Sequence, residues 1–104
     1  MLSIKSCRWD SQVTMTLTGE LDLLTVADVK AALADVALDD DIRDIFVDLS
    51  GVTFTDSTGI AALIAGKRLA CAVGKRYDVI AAHGMVRRVL DLTGVWGYLS
   101  GLPD

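Results

Sequence analysis

The sequence predicts an α/β fold built on a mixed β-sheet. The N-terminal residues alternate apolar and polar side chains, and later short apolar runs alternate with stretches of helical periodicity. Strands that alternate with helices favour parallel pairing through right-handed crossovers, whereas an opening hairpin adds an antiparallel pair. With 104 residues, 52% of them hydrophobic and one proline, residues 1–104 are assigned to a single domain with its own core. The predicted order is β-β-α-β-α-β-α, with about four to five strands and three or more helices.

The first two predicted strands form a hairpin. Leu2–Cys7 and Gln12–Thr18 both alternate apolar and polar residues, and the second is rich in β-branched side chains. Asp10 and Ser11 between them are turn-forming residues. The arrangement is typical of an antiparallel hairpin with one face in water.

A loop and a helix are expected next. Gly19–Asp22 interrupts the alternation and is interpreted as a loop. Thr25–Asp28 resembles a capping box, in which Thr25 would cap a helix of about 12–14 residues. Asp39–Asp41 ends this helix, because carboxylates oppose the dipole at a helix C-terminus. Its apolar stripe consists of Val26, Val29, Leu33, Val36 and Ala37.

The middle of the chain predicts two buried strands joined by a helix. Ile45–Leu49 and Tyr77–Ala82 are short, mostly apolar runs, so both are expected to be central strands. A short polar connection follows Leu49 and leads into a helix from Ser57 to Ala72 that Gly74 closes.

The C-terminal part predicts one more helix and a short edge strand. The helix begins at His83 and Gly84, and Gly94 suits its C′ position. Val95–Leu99 is expected to form the edge strand. The apolar face of the helix consists of Val86, Val89 and Leu90.

Charge argues against a nucleic-acid partner. The net charge is −4, and phosphate contacts by basic residues dominate nucleic-acid affinity. Basic residues do occur in pairs in the second half of the chain, but pairs of this kind more often lie on solvated faces. The pairs are Lys67-Arg68, Lys75-Arg76 and Arg87-Arg88.

The remaining bulk features favour a cytoplasmic protein. Cys7 and Cys71 lack metal-ligand spacing and lie among apolar residues, so they are expected to be reduced, buried and inert. Met1–Asp10 lacks the apolar core of a signal peptide. No apolar run approaches the ~18 residues of a membrane span, so no membrane insertion is expected.

The segment Asp56–Gly59 carries the most chemistry, and Ser57 is its central residue. Taken alone, Ser57 is best explained as a helix N-cap, since Ser and Asp are favoured there. Gly59 in the first helical turn costs roughly 0.5–1 kcal/mol relative to alanine, which suggests the close approach of another backbone. A helix N-terminus with unpaired amides also suits a phosphate on Ser57.

Enzyme and metal-site interpretations have weaker support. Glu20 and Asp22 lack a partner nucleophile and further ligands, so they are interpreted as exposed acids of a turn. A triad of Ser57, His83 and Asp22 is disfavoured, because no G-x-S-x-G elbow surrounds Ser57. No glycine-rich nucleotide motif occurs. We therefore expect a protein that is not an enzyme and has no metal or cofactor.

Four segments form a pattern when they are taken together. They are Leu17–Asp22, Asp41–Arg43 before a strand, Phe54–Gly59, and Val86–Gly94. Their order and spacing, over residues 3–100, resemble the STAS domain family, and most closely its stand-alone bacterial anti-sigma factor antagonists (anti-anti-sigma factors). The resemblance implies a STAS-type mixed sheet and a partner-switching mechanism.

In the mechanism that the resemblance implies, the unmodified antagonist binds an anti-sigma factor, which is a serine kinase with a GHKL-type ATP fold, and so frees a sigma factor. The kinase phosphorylates the serine that matches Ser57, the antagonist dissociates, and a PP2C-type phosphatase reverses the modification. Thr58 matches a neighbouring hydroxyl that is sometimes a second phosphosite. The partner-binding positions implied are Glu20, Asp22, Asp56, Ser57, Thr58, Gly59 and Ala62.

Two departures from the family pattern and one alternative function accompany the resemblance. Ala82–Met85 stands where many relatives have a proline-containing turn, and a local change of turn is expected. The chain ends soon after Gly101, where many relatives continue into a further helix, so a trimmed docking face is expected. The alternative is a STAS domain without a switch, as a transporter subunit or a stressosome-like scaffold. The intact Asp56–Gly59 segment favours the switch.

Overall fold

A computed structural model describes residues 1–101 of the chain. The elements in chain order are β1 (Leu2–Trp9), β2 (Gln12–Leu21), α1 (Val26–Ala37), β3 (Asp44–Thr55), α2 (Ser57–Ala72), β4 (Arg76–Ile80), α3 (Gly84–Leu92) and α4 (Trp96–Ser100).

The four strands form one mixed sheet in the order β1-β2-β3-β4. β1 and β2 are antiparallel, whereas β2 pairs with β3, and β3 with β4, in parallel. The predicted hairpin, the parallel crossovers and the central place of β3 are thereby confirmed. The central place predicted for Tyr77–Ala82 is wrong, because β4 is an edge strand. Its Tyr77 and Val79 are buried by helices instead, since α2 and α4 both pack against β4.

The core lies on one face of the sheet, between the strands and the helices. Every second residue points into it from Val13 to Leu17 in β2, as the alternation predicted, and from Ile45 to Leu49 in β3. α1 and α2 pack against each other over this face. The buried residues that these elements supply include Val13, Met15, Leu17, Ile45, Val47, Leu49, Val29, Leu33, Ile60 and Leu63. None of the helices described in residues 1–101 is long and apolar enough to cross a membrane.

β2 and β3 both extend further than the alternation predicted. Pairing continues through Glu20 with Phe54 and Leu21 with Thr55, after register shifts on either side of Gly19. The interpretation of Gly19–Asp22 as a loop is therefore wrong for its first three residues, and the polar connection after Leu49 is mostly strand. Irregular pairing hides these strand ends, because each shift changes which side chains face the core.

α1 begins where the sequence predicted, but the residue expected to cap it does not do so. Its 12 residues agree with the predicted length. The Thr25 side chain makes no capping hydrogen bond to the helix. Instead, its hydroxyl donates to the Glu20 carbonyl oxygen at 2.9 Å and accepts from the Asp22 N–H at 3.1 Å. Thr25 thus ties the end of β2 to the start of α1.

The C-terminal region differs from the prediction at Val95–Leu99, because Trp96–Ser100 is helix α4. Leu99 of this helix is fully buried, and Gly101 ends the helix with φ of 72°. The tertiary packing of Leu99 overrides the strand propensity of its neighbours. Of the expected trimmed docking face at residues 101–104, residues 102–104 lie outside the described residues.

Cys7 and Cys71 are both exposed, so the prediction that they are buried is wrong. Cys7 pairs with Thr14 in the hairpin, on the sheet face opposite the core. Cys71 lies in the last turn of α2 and points away from the core. Apolar neighbours in sequence do not place these side chains inside, because the strand and helix periods direct them outward.

Candidate functional site

The candidate site lies where β2 and β3 end and α1 and α2 begin. The two strands are parallel, so their carboxyl ends reach the same edge of the sheet, with Leu21 beside Thr55. A turn at residues 22–25 leads from β2 into α1, and Asp56 alone separates β3 from α2. The sequence segments around Asp22 and Ser57, separated by more than thirty residues, therefore meet here.

Asp56 is the N-cap of α2. Its backbone is extended, and its Oδ1 accepts from the N–H groups of Thr58 and Gly59, each at 3.0 Å. The Thr58 hydroxyl donates to the same oxygen at 2.5 Å. These bonds, led by that of the Thr58 hydroxyl, lower the pKa of Asp56 below its usual value, so the carboxylate is ionised at neutral pH. The sequence-based interpretation of Ser57 as the cap is therefore wrong.

The two hydroxyls after the cap have different environments. Ser57 is the first residue of α2 and is exposed, and within residues 1–101 its hydroxyl has no hydrogen-bond partner. Thr58 is half-buried and its hydroxyl is bound to Asp56. Because Asp56 occupies the Thr58 and Gly59 amides, these amides are not open to a phosphate, contrary to the expectation for an uncapped helix.

Gly59 and Ala62 are buried rather than presented to solvent. A Cβ at position 59 would lie 2.5 Å from the Leu21 carbonyl oxygen and 2.8 Å from Leu21 Cγ, and it would also meet Thr55 Oγ1. The backbone that approaches Gly59 is thus that of the same chain. Gly59 packs the first turn of α2 against the end of β2, whereas Ala62 lines the groove between α1 and α2.

The turn that precedes α1 is closed by its own backbone and by Asp22. The Asp22 carbonyl oxygen accepts from the N–H groups of Thr25 and Val26, and its Oδ1 accepts from the Leu24 N–H at 3.0 Å. The Leu23 N–H donates to Oδ2 of Asp56 at 3.3 Å. The Asp56 carboxylate therefore holds both the start of α2 and the turn before α1.

Leu23 and Leu24 in this turn are exposed, and the sequence analysis missed them. Their exposed fractions are 69% and 91%. The signal that could have found them is their position, because they fall outside both the alternation of β2 and the apolar stripe of α1.

An acidic cleft of about 410 Å³ adjoins the turn. Glu20 at its edge is exposed and lies 3.8 Å from the N-terminal ammonium of Met1. Asp22 is half-buried, and Asp28 is exposed in the first turn of α1. The residues that line the cleft are Met1, Leu2, Glu20, Asp22, Leu24, Thr25 and Asp28.

The structure does not assemble the disfavoured catalytic triad in its described part. Nε2 of His83 lies 2.7 Å from the Ser50 carbonyl oxygen, and the Asp22 carboxylate bonds within its own turn. Among residues 1–101, no group of three or more His, Cys, Asp or Glu side chains is placed to hold a metal ion.

The chain is similar to known proteins both in its sequence and in its fold. A family model described as "Mlab, STAS domain" matches residues 7–101. The chain therefore belongs to the STAS domain family.

Curated relatives carry a more specific name. The anti-sigma-B factor antagonist of Staphylococcus aureus (strain NCTC 8325 / PS 47) is 27% identical over 94 residues, which span 90% of this chain and 86% of the relative. The protein of the same name from Staphylococcus epidermidis is 24% identical over the same lengths.

Solved structures share the fold. An anti-sigma factor antagonist from Mycobacterium paratuberculosis superposes with a TM-score of 0.84 at 24% identity, covering 98% of this chain and 85% of that one. The anti-sigma factor antagonist SpoIIAA in its unphosphorylated form gives 0.70 at 21% identity, covering 86% and 83%. Its phosphorylated form, from Bacillus, gives 0.74 at 20% identity, covering 98% and 92%.

Proposed function

We propose that this protein is an anti-sigma factor antagonist whose binding is switched by phosphorylation of Ser57. The unmodified protein binds an anti-sigma factor with GHKL-type serine kinase activity and releases it once Ser57 is phosphorylated. A PP2C-type phosphatase restores the hydroxyl. The staphylococcal relatives of that name support the family role. We also propose that residues 1–104 form one STAS domain that acts in the cytoplasm.

The observation that carries the proposal is the exposed, unbonded hydroxyl of Ser57 at the start of α2. A kinase must bring this oxygen in line with a nucleotide phosphate, so an exposed side chain on a rigid helix start is suitable. The Thr58 hydroxyl is half-buried and engaged in the cap with Asp56, so a nucleotide phosphate reaches it less readily than Ser57. The arrangement supports Ser57 as the acceptor over Thr58.

In the transfer step, Oγ of Ser57 forms a bond to the γ-phosphorus of ATP while the bond to the bridging oxygen of ADP breaks. The hydroxyl proton passes to a base of the kinase. In the reverse step, water cleaves the new ester to give inorganic phosphate and the free hydroxyl.

The phosphate destabilises the complex through its charge and its solvation. It adds about −1.5 to −2 charge beside the ionised Asp56. Since Asp56 already occupies the amides of Thr58 and Gly59, these two groups cannot neutralise the added charge. In the proposed complex it would face the phosphates of the nucleotide that the kinase still holds, and like charges repel. Burying a dianion without a partner adds a desolvation penalty.

The predicted partner-binding residues take different roles in this proposal. Ser57 is the acceptor, while Glu20 at the end of β2 and Asp22 in the turn that follows contact the partner. Asp56 and Thr58 hold the helix start in place. Gly59 keeps the start of α2 close to β2 and Ala62 lies on the side of α2 that faces α1, so both position Ser57 without touching the partner.

The test uses the purified protein and each GHKL-type serine-kinase anti-sigma factor that its source genome encodes. With ATP, intact mass should rise by one phosphate, fragment mapping should place it on Ser57, and affinity for the kinase should fall at least tenfold. Ser57→Ala should bind and resist modification, whereas Ser57→Asp should bind more weakly. Equal affinities of Ser57→Ala and Ser57→Asp would contradict the switch.

The second candidate is a STAS domain that serves a transporter or a scaffold without a switch. The observation that favours it is the match to murine Solute Carrier 26 family member A9, an anion transporter, with a TM-score of 0.74 at 21% identity over 86% of this chain and 15% of that one. Under this candidate, the partner recovered from cells stays bound after Ser57 is phosphorylated.

A further inference from the structure

The exposed pair Leu23 and Leu24 is not required by the fold. The hydrogen bonds of their turn use backbone groups and the side chains of Asp22, Thr25 and Asp56. The leucine side chains take no part in them and lie mostly in water. A turn that needs only backbone groups at these two positions accepts polar residues equally well, so two adjacent leucines indicate an interaction surface.

We propose that Leu23 and Leu24 form the apolar anchor of a docking surface for a basic partner. This inference rests on the proposed function and adds the feature that selects the partner. The surface consists of the leucine pair and the acidic cleft lined by Glu20, Asp22 and Asp28. Its occupant is a segment of the anti-sigma factor that presents an apolar recess flanked by arginine or lysine.

Charge complementarity identifies the occupant. Leu24 lines the same cleft as Asp22 and Asp28, and the Met1 ammonium near Glu20 offsets one charge of the cleft. A partner with basic side chains gains favourable contacts around the leucines. A second copy that used the same face would place carboxylates against carboxylates, which disfavours self-association through this surface.

The leucine pair also belongs to the same surface as Ser57. The Leu23 N–H binds the carboxylate of Asp56, which directly precedes Ser57. A partner that covers the leucines therefore reaches the acceptor serine. Its basic segment lies over the cleft, while its nucleotide site faces Ser57, so attraction and phosphate repulsion act at separate points.

The experiment measures affinity by calorimetry between the purified chain and the same panel of GHKL-type serine-kinase anti-sigma factors. Leu24→Ser should weaken binding by about tenfold or more, because burial of a leucine side chain is lost. Leu24→Gln keeps the size of the side chain and should weaken binding similarly. Added salt should weaken the wild-type complex.

Matched controls come from other exposed leucines. Leu38 follows the opposite end of α1 and is 62% exposed, close to the value for Leu23. Leu92 ends α3 and is 76% exposed. Leu38→Ser and Leu92→Ser should change affinity less than twofold. Thermal unfolding of every variant checks that its fold is intact.

The outcomes separate the inference from the function on which it rests. If no kinase in the panel binds the wild-type chain, both are overturned. If a kinase binds and phosphorylates Ser57 but Leu23→Ser, Leu24→Ser and Leu24→Gln bind as well as the wild type, only the inference is overturned. If sedimentation shows a wild-type dimer that Leu24→Ser dissociates, a second copy occupies the surface and the basic partner is overturned.

Discussion

The backbone N–H of Leu23 donates to Oδ2 of Asp56 at 3.3 Å, while Oδ1 of the same carboxylate caps α2. A single side chain therefore fixes the two chain segments that follow β2 and β3. Because Ser57 follows Asp56 directly, the acceptor serine and the exposed leucine turn are positioned by one residue. This relationship makes Asp56 the most informative position for mutation.

Asp56→Ala should lower the thermal unfolding midpoint and also loosen the leucine turn. The substitution removes the cap of α2, and it removes the acceptor of the Leu23 N–H. Hydrogen exchange at the amides of Leu23, Thr58 and Gly59 should become faster than in the wild type.

Asp56→Asn is the matched variant, since its side-chain oxygen still caps the helix. It should keep slow exchange at Thr58 and Gly59 while exchange at Leu23 rises, because the amide group offers only one acceptor oxygen. Unchanged exchange at Leu23 in Asp56→Ala would show that the bond to this amide does not hold the turn.

The stability that Asp56 contributes should depend on pH. Its pKa in the folded state lies below the ordinary value of 3.8, chiefly because of the Thr58 hydroxyl. A depressed folded-state pKa stabilises the protein fully above the unfolded pKa and loses this effect as pH falls through the folded value. The difference in unfolding free energy between wild type and Asp56→Asn should be constant near neutral pH and shift against the wild type below about pH 4.

Urea unfolding across this range measures the difference, and an NMR titration of the Asp56 carboxyl carbon gives its pKa directly. A carboxyl that titrates at or above 3.8 would contradict the lowered pKa.

The site shows what local sequence can and cannot resolve. That a helix starts near Ser57 follows from the polar segment and the apolar residues after it. The sequence does not show which residue caps the helix, because Asp56 and Ser57 are both good caps and only the backbone conformation distinguishes them. The bond from Leu23 to Asp56 lies beyond local reasoning altogether, since the two residues are 33 positions apart.

The fold likewise has parts that the sequence predicts and parts that it does not. The mixed sheet was predictable because periodicity and turn residues agree along β1, β2 and β3. The ends of β2 and β3 were not predictable, since the parallel pairing continues past the register shifts around Gly19. α4 was mistaken for a strand because Val95–Leu99 is rich in β-formers, while its helix depends on the burial of Leu99 against distant elements.

Gly59→Ala should destabilise the protein although alanine is the better helix former. The added Cβ would lie 2.5 Å from the Leu21 carbonyl oxygen, which belongs to a paired strand and cannot move freely. We expect a loss of about 1–3 kcal/mol in unfolding free energy, as for an overpacked core. Urea denaturation measures it.

Ser57→Ala is the stability control on the same helical turn, because the Ser57 side chain is exposed. Its unfolding free energy should stay within about 0.5 kcal/mol of the wild type. If Gly59→Ala were as stable as Ser57→Ala, α2 would not be tightly apposed to Leu21.

Both cysteines should react with a thiol reagent in the folded protein. Cys7 on β1 and Cys71 in the last turn of α2 are exposed. A colorimetric disulfide reagent should titrate two thiols per chain without denaturant, and Cys7→Ser and Cys71→Ser should each remove one. A thiol that reacts only in urea would indicate that its side chain is buried.

Thr58→Val should leave phosphorylation at Ser57 intact and change the cap instead. Valine has the shape of threonine but no hydroxyl, so the donor at 2.5 Å from Asp56 is lost. Because that bond is the first cause of the lowered pKa of Asp56, the carboxyl should titrate closer to 3.8 in this variant. Mass mapping after incubation with the kinase and ATP should still find one phosphate on Ser57. Two phosphates on the wild-type chain, with one on Thr58→Val, would instead assign Thr58 as a second acceptor and require its hydroxyl to leave Asp56.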